Sequence, residues 1–212
     1  MQNSKYKLEV ITPFGPAIAK TKIPDDIIDK LNGYFEKTIS NEHDSLRQDH
    51  GQHLVGNVTK EIKIDHEYVE ESKWLNFLSQ ATQAYVHFVT GKKNEKFSLI
   101  ESWIVSQFSH EYNPTHWHGG HLSGAGYLKV PDTLGESFQK KRAYNHNGHL
   151  QLIHGTRQFL SHSLYTIKPQ VGDFYIFPHY LMHTVFPFSG TDKERRCVSF
   201  NARIDESVYN IY

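Results

Sequence analysis

The sequence predicts a mainly β domain in which two N-terminal helices buttress an antiparallel barrel or sandwich of short strands. Two observations lead to this prediction. Apolar residues recur at helical spacing in two segments before Gly91, whereas strand-like apolar runs separated by Pro and Gly follow it. Helices that precede such a series of strands typically pack on one outer face of the sheet.

Length and composition limit the possible classes. A chain of 212 residues fits one domain, and we expect residues 1–95 to form N-terminal strands and a helical buttress, with a β core at 96–204. Equal numbers of basic and acidic residues, 23 each, exclude a generic polycation and give no strong nucleic-acid signal. A single cysteine, Cys197, excludes a disulfide framework. The absence of a long apolar run predicts no membrane segment and a cytoplasmic location.

The N-terminal elements come first along the chain. Residues 6–21 carry apolar residues broken by Pro and Gly, which predicts a short strand pair or extended segment. A helix is expected directly after Pro24, where two aspartates suit its first turn. A second helix is expected from about Tyr68 to Val89, and Gly91 ends it. The polar stretch 41–58 between them is expected to be loop.

The C-terminal half is expected to consist of short strands. A polar excursion at 132–148 interrupts them, and it is expected to be either a lid or recognition loop or a plain solvated loop. The predicted strands lie at 97–108, 121–130, 151–153, 159–167, 174–177, 183–186 and 197–204.

Histidine is unusually frequent, with 15 residues in the chain. His116 and His118 form an H-x-H pair, and on a strand both rings would project from one face, where they could converge on a metal ion. At this histidine content, one such pair is expected by chance, so an edge strand of solvated histidines is the alternative. His121 is a third candidate, although it lies beyond two glycines.

A second group of candidate residues lies between 172 and 201. His183 opens one predicted strand and Arg195 stands on the next. Period-two alternation puts Arg195 on a polar face with Cys197, Ser199 and Asn201, and Arg196 on an apolar face. The inward guanidinium would suit a carboxylate ligand. The alternatives are an ordinary surface ion pair, and Arg196 as the inward residue.

These two blocks together resemble a known family. The segments SWIVSQF…NPTHWHGGHLSGAGYLKVP and KPQVGDFYIFPHYLMHTVFPFSGTDKERRCVSFN resemble the core of Fe(II)/2-oxoglutarate-dependent oxygenases, most closely a small, uncharacterised bacterial and phage group. The resemblance runs from Ser102 to Asn201. It implies a double-stranded β-helix of the jelly-roll or cupin type, buttressed by the two N-terminal helices.

The resemblance also implies roles for individual residues. An Fe(II) ion, the co-substrate 2-oxoglutarate and O₂ would meet in one cavity, where an unknown small-molecule or protein substrate would be hydroxylated with release of succinate and CO₂. The implied metal ligands are His116, His118 and His183. The residues implied to contact 2-oxoglutarate are Arg195 and Tyr127, which would bind its distal carboxylate, and Ser199 and Asn201, which would line the pocket.

Two departures from the superfamily pattern keep alternatives open. His118 occupies the place of the usual Asp or Glu ligand of the facial triad, and Cys197 replaces a frequent serine. A three-His cupin-type dioxygenase that does not use 2-oxoglutarate, a zinc hydrolase and a non-catalytic β-sandwich binding module are the competing interpretations. The sequence leaves the oligomeric state open.

Overall fold

The computed structural model describes residues 7–11, 15–137, 141 and 143–210, and in this part of the chain the β-strands form two antiparallel sheets. The larger sheet has seven strands in the order β1-β2-β9-β6-β11-β4-β3, and the smaller has four in the order β5-β10-β7-β8. The strands are β1 (Glu9–Ile11), β2 (Ile18–Lys22), β3 (Lys60–Lys63), β4 (Phe97–Gln107), β5 (Asn113–His116), β6 (Leu122–Lys129), β7 (Leu150–Ile153), β8 (Leu164–Ile167), β9 (Asp173–Pro178), β10 (Met182–Val185) and β11 (Arg195–Ile204).

The helices cover the outer face of the larger sheet. They are α1 (Asp25–Ser40), α2 (Glu42–Arg47), α3 (His66–Glu71), α4 (Trp74–Thr90) and α5 (Glu206–Tyr209). The apolar sides of α1 and α4 pack in one core cluster with Val198 and Phe200 of β11. Phe77 of α4 meets Phe174 of β9 edge-on, with ring centroids 5.4 Å apart. The predicted mainly β architecture with helical support on one face is therefore confirmed.

A second apolar cluster lies between the two sheets. Tyr127 and Cys197 of the larger sheet pack with Leu150 and Leu152 of the smaller one. β11 thus contributes to both clusters, because alternate residues along a strand point to opposite faces. No helix in the described ranges is long and apolar enough to cross a bilayer.

Several predicted boundaries were wrong for physical reasons. The second predicted helix is interrupted between α3 and α4, where Lys73 has a left-handed φ of 68°. The Ser72 hydroxyl donates to the Val69 carbonyl oxygen and accepts from the Trp74 main-chain N–H, so it replaces helical hydrogen bonds at the break. The predicted loop 41–58 contains α2, whose first turn is capped by the side chain of Asn41, and a 3₁₀ turn at Gly51–His53.

Two strand predictions also need correction. The strand expected at 159–167 is limited to β8, because residues 159–163 form an exposed turn in which Phe159 is 93% exposed. A strand at β3 was not predicted, because its sequence KEIK has three charged residues and only one aliphatic residue. The segment is a strand because it pairs with β4. Residues 132–137, 141 and 143–148 form no helix or strand; the rest of the predicted excursion, residues 138–140 and 142, lies outside the described residues.

Arg196 anchors helix α1 to the larger sheet. Its guanidinium binds Glu36 at 2.7 Å and Glu194 at 2.6 Å, and it lies over the ring of Phe35 at 4.0 Å. The Arg196 side chain is 1% exposed. We therefore expect Arg196→Leu to lower the free energy of unfolding by on the order of 2 kcal/mol, because Glu194 loses its hydrogen bonds to the guanidinium and keeps only Lys129 at 3.7 Å. Arg203→Leu, at an exposed position of the same strand, is the matched control in denaturant unfolding; equal stability of the two variants would contradict this role.

Candidate metal centre and anion pocket

A cavity opens between the two sheets, and its empty volume, with the open solvent at its mouth included, is about 560 Å³. The larger sheet contributes to its wall the inward-facing residues of β11, β4 and β6, and the smaller sheet contributes residues of β5, β7 and β10. All three histidines of the predicted metal site line this cavity, and so do Arg195 and Tyr127. Residues far apart in the sequence therefore meet at one place.

Strand pairing brings the three imidazoles together. β5 pairs with β10 in a register that sets His116 directly opposite His183. His118 lies just beyond the end of β5, where its main-chain N–H donates to the His179 carbonyl oxygen at 3.1 Å. The potential ligand atoms of His116, His118 and His183 all lie within 4.8 Å of one another. In the described part of the chain, this is the one group of three or more such side chains.

Hydrogen bonds fix which nitrogen faces the centre of the cluster. His116 Nδ1 contacts the Pro114 carbonyl oxygen at 2.7 Å, and His183 Nδ1 contacts the Leu181 carbonyl oxygen at 2.8 Å. Because a carbonyl oxygen only accepts, each Nδ1 carries the proton and each Nε2 keeps a lone pair. This arrangement is typical of histidines that bind a metal through Nε2.

The spacing and protonation of the rings fit a metal ion. His118 Nε2 lies 3.1 Å from His183 Nε2, close to the roughly 3 Å expected between two ligands that each lie about 2.1 Å from one ion. Burial, aided by the neighbouring imidazoles, lowers the pKa of His118 to about 4 and that of His183 to about 3. Burial also lowers the pKa of His116. The three rings are therefore neutral at pH 7, and their lone pairs are available for coordination.

The residues after His118 turn the chain away from the cluster. Gly120 has a φ of 93°, and a Cβ atom there would lie 2.8 Å from the Ala202 carbonyl oxygen. Only glycine fits this close approach without strain. Gly120 therefore allows the backbone to turn at the rim of the site.

A carboxylate that sequence reasoning missed lies behind His118. Glu101 stands opposite Asn201 in the β4–β11 pairing, and its Oε2 atom is 3.3 Å from His50 Nε2. His50 holds the pKa of Glu101 down to about 2, and the negative charge of Glu101 raises the pKa of His118. Alternation along β4 could have found this residue, because it places Glu101 on the same face as Trp103 and Val105, which line the cavity.

Arg195 and Tyr127 form a buried group of hydrogen-bond donors in the same cavity. Arg195 is 3% exposed, and its Nη1 donates to Gln107 Oε1 at 2.6 Å. Among the described residues, Arg195 Nε and the Tyr127 hydroxyl have no hydrogen-bond partner, and no carboxylate lies within 4.0 Å of Arg195. The guanidinium carbon lies 5.2 Å from the centre of the Tyr127 ring. A buried cation without a counterion is costly, so this end of the cavity is suited to an anionic ligand.

The other residues predicted to contact the co-substrate differ in position. Ser199 and Cys197 line the cavity, and burial raises the pKa of the Cys197 thiol. Asn201 projects from the same face but does not line the cavity. Its amide donates to Glu101 Oε1 at 2.9 Å, and its side-chain oxygen accepts from the Ser123 hydroxyl at 2.7 Å. Asn201 therefore supports Glu101 directly, and a contact with the co-substrate stays a prediction.

The two alternative residues lie outside the cavity. Arg196 points to the helical side of the sheet, as described above. His121 Nδ1 accepts from the Ile204 main-chain N–H at 3.1 Å, and its ring stacks on Tyr209 with centroids 3.8 Å apart. The outward position of Arg196 agrees with the period-two alternation along β11. The position of His121 outside the cavity agrees with its place in the sequence beyond the two glycines.

We expect His116→Ala and His183→Ala each to abolish stoichiometric binding of Fe(II) or Co(II) in an anaerobic titration, because each removes a lone pair from the cluster. His121→Ala is the matched control, since it removes an imidazole that lies outside the cluster. Unchanged affinity in both cavity variants would contradict the assignment of these residues as ligands.

The comparisons with known proteins agree with this geometry. Residues 101–201 match a family model described as "Putative 2OG-Fe(II) oxygenase". No curated protein matches the chain.

Solved structures share the fold at low sequence identity. AviO1 from Streptomyces viridochromogenes is 14% identical, with a TM-score of 0.57 and 90% of both chains covered. A prolyl-4-hydroxylase from Pseudomonas putida is 13% identical, with a TM-score of 0.55 and 94% of both chains covered. SnoN, a non-heme α-ketoglutarate-dependent epimerase from nogalamycin biosynthesis, is 13% identical, with a TM-score of 0.55, and covers 86% of this chain and 74% of its own. These similarities confirm the double-stranded β-helix fold, and the family model matches the part of that fold which carries the His cluster and Arg195.

Proposed function

We propose that this chain hydroxylates a substrate bound beside the three imidazoles, and that it converts 2-oxoglutarate into succinate and CO₂ in the same turnover. One oxygen atom of O₂ enters succinate and the other enters a C–H bond of the substrate. The observation that carries the proposal is the buried Arg195–Tyr127 group, which has no anionic partner among the described residues and lies in the same cavity as the His cluster.

The iron would be held by His116, His118 and His183, whose nitrogens already converge. When bound, this ion supplies the activation of O₂ that no amino-acid side chain provides. The protein would supply the ligand positions, which are fixed by the hydrogen bonds of His116 and His183 to main-chain carbonyl oxygens.

Arg195 and Tyr127 would bind the distal carboxylate of 2-oxoglutarate. Burial raises the pKa of Tyr127 well above its usual value, so the hydroxyl keeps its proton and can donate it in a hydrogen bond. Gln107 orients the guanidinium, and its own amide donates to the Glu111 carbonyl oxygen. This support leaves Arg195 Nε free to bind the ligand, among the described contacts.

The His118 position changes the charge of the proposed site. Three neutral imidazoles carry one negative charge less than two imidazoles and a carboxylate. Glu101 places a negative charge near His118 without joining the cluster of ligand atoms. We propose that Glu101 partly offsets the missing ligand charge from outside the coordination sphere.

The competing interpretations are not favoured. A cupin-type dioxygenase that does not use 2-oxoglutarate would not supply the carboxylate that Arg195 lacks. A non-catalytic sandwich gives no reason for one buried and two half-buried imidazoles to converge. The family match over residues 101–201 also supports 2-oxoglutarate as the co-substrate.

We expect Arg195→Leu to raise the concentration of 2-oxoglutarate needed for half-maximal succinate formation at least about tenfold, because a hydrogen bond to a charged group is lost. Arg203→Leu is the control, since Arg203 is exposed at the far end of the same strand. If Arg195→Leu and the wild type reached half-maximal succinate formation at the same 2-oxoglutarate concentration, Arg195 would not be the residue that binds the distal carboxylate.

We expect His118→Asp to retain metal binding, because a carboxylate restores the facial triad of the superfamily, and His118→Ala to weaken it. The measurement is metal affinity by anaerobic titration, followed by succinate formation. Full affinity and full turnover in His118→Ala would show that His118 is not a ligand.

A further inference from the structure

Glu61 is a buried carboxyl group that the proposed reaction does not use. It lies on β3, is 2% exposed and lines the cavity that contains the His cluster. Its Oε1 atom has no hydrogen-bond partner among the described residues, and no Lys or Arg nitrogen in them lies within 4.0 Å of the carboxyl. Its ligand atoms do not belong to the metal-binding group.

The strand register places Glu61 across the cavity from the anion pocket. Tyr127 of β6 pairs with Cys197 of β11, Cys197 pairs with Val105 of β4, and Val105 pairs with Glu61 of β3. These four residues therefore form one row across four neighbouring strands. With about 4.8 Å between strands, the backbone of Glu61 lies roughly 14 Å from that of Tyr127.

Glu61 is thus at the β3 end of this row. β3 is the last strand of the larger sheet, so the row ends at its edge. Tyr127 ends the row on the other side, Arg195 stands on β11 two residues before Cys197, and His116 and His183 belong to the facing sheet. A substrate that approaches the metal from the side away from 2-oxoglutarate would meet Glu61.

The surroundings of Glu61 are acidic. Burial, together with the carboxylates of Asp49 and Glu111, raises the pKa of Glu61 to about 7, and a hydrogen bond with the Asn113 side chain opposes this rise. Gly56 packs closely against this group, since a Cβ atom there would lie 2.5 Å from Asn113 Nδ2 and 3.0 Å from Glu61 Oε1. A buried carboxylate without a cationic partner is destabilised, and a cation of the ligand would lower that cost.

Building on the proposed function, we infer that Glu61 is a substrate-binding residue and that the substrate carries a cationic nitrogen group, an ammonium or guanidinium, which Glu61 binds at the β3 side of the cavity. The cation would be bound opposite the carboxylate of 2-oxoglutarate. The reacting C–H bond would then lie between the cationic group and the metal.

The test uses capped amino acids that differ at the end of the side chain. Nα-acetyl-lysine amide and Nα-acetyl-arginine amide carry the cation, Nα-acetyl-norleucine amide is its apolar counterpart and Nα-acetyl-glutamate amide is the anion. Affinities are measured by titration calorimetry on the full chain with Mn(II) and 2-oxoglutarate, and again without them. Because the second series needs neither metal nor co-substrate, loss of the proposed reaction and loss of cation binding are distinguished.

We expect one cationic probe to bind at least about tenfold more tightly than the norleucine probe, as for a hydrogen bond between charged groups. Glu61→Gln should remove this preference while preserving shape, and Glu67→Gln, an equal loss of charge at an exposed site on α3, should keep it. A second comparison measures the affinity of n-butylammonium against that of Nα-acetyl-lysine amide. Tighter binding of the capped lysine indicates a peptide substrate, and equal or weaker binding indicates a free amine.

Three results would overturn the inference. They are equal affinity for the norleucine and cationic probes in the wild type, a cation preference that persists in Glu61→Gln, and the absence of saturable binding by either cationic probe. The wild-type comparison does not depend on any variant, so a failure of Glu61→Gln to fold leaves a decisive measurement.

Discussion

The antiparallel pairing of β5 with β10 is the interaction on which the site depends. It sets His116 opposite His183, two residues that the sequence separates by most of the β core. Main-chain hydrogen bonds therefore bring the two rings together, before any metal contributes. His118 joins them because the chain leaves β5 beside His179 and then turns at Gly120. A slip of one residue in this register would point one of the rings out of the cavity.

β11 connects this site to the stability of the fold. Its outward residues Val198 and Phe200 belong to the core under the helices, and Arg196 ties the same face to α1. Its inward residues Arg195 and Cys197 line the cavity. The helices thus hold in place the strand that presents the guanidinium, although they contribute no residue to the cavity themselves.

Sequence reasoning was most successful where a periodic pattern and a local signal agreed. Period-two alternation on β11 correctly distinguished Arg195 from Arg196, and the pairing of strands explains why the two histidine blocks meet. Sequence reasoning failed where contacts with other strands determine the local structure. β3 carries only one aliphatic residue and is a strand because β4 offers a free edge, so neither the strand nor the buried position of Glu61 was predictable from its own residues.

The histidines alone do not determine which ligands the cavity favours, because buried ionisable residues also line it. A buried cation, Arg195, and a buried carboxyl, Glu61, lie on opposite sides of the inner face of one sheet, and neither has an ion-pair partner within 4.0 Å among the described residues. Direct pairing would satisfy both, but Arg195 stands on β11 and Glu61 on β3, with β4 between these two strands. The fold therefore keeps the two charges apart, and a ligand that occupies the cavity lowers the electrostatic cost of each. Such a cavity favours an anion at one end and a cation at the other, with the imidazoles on the facing sheet.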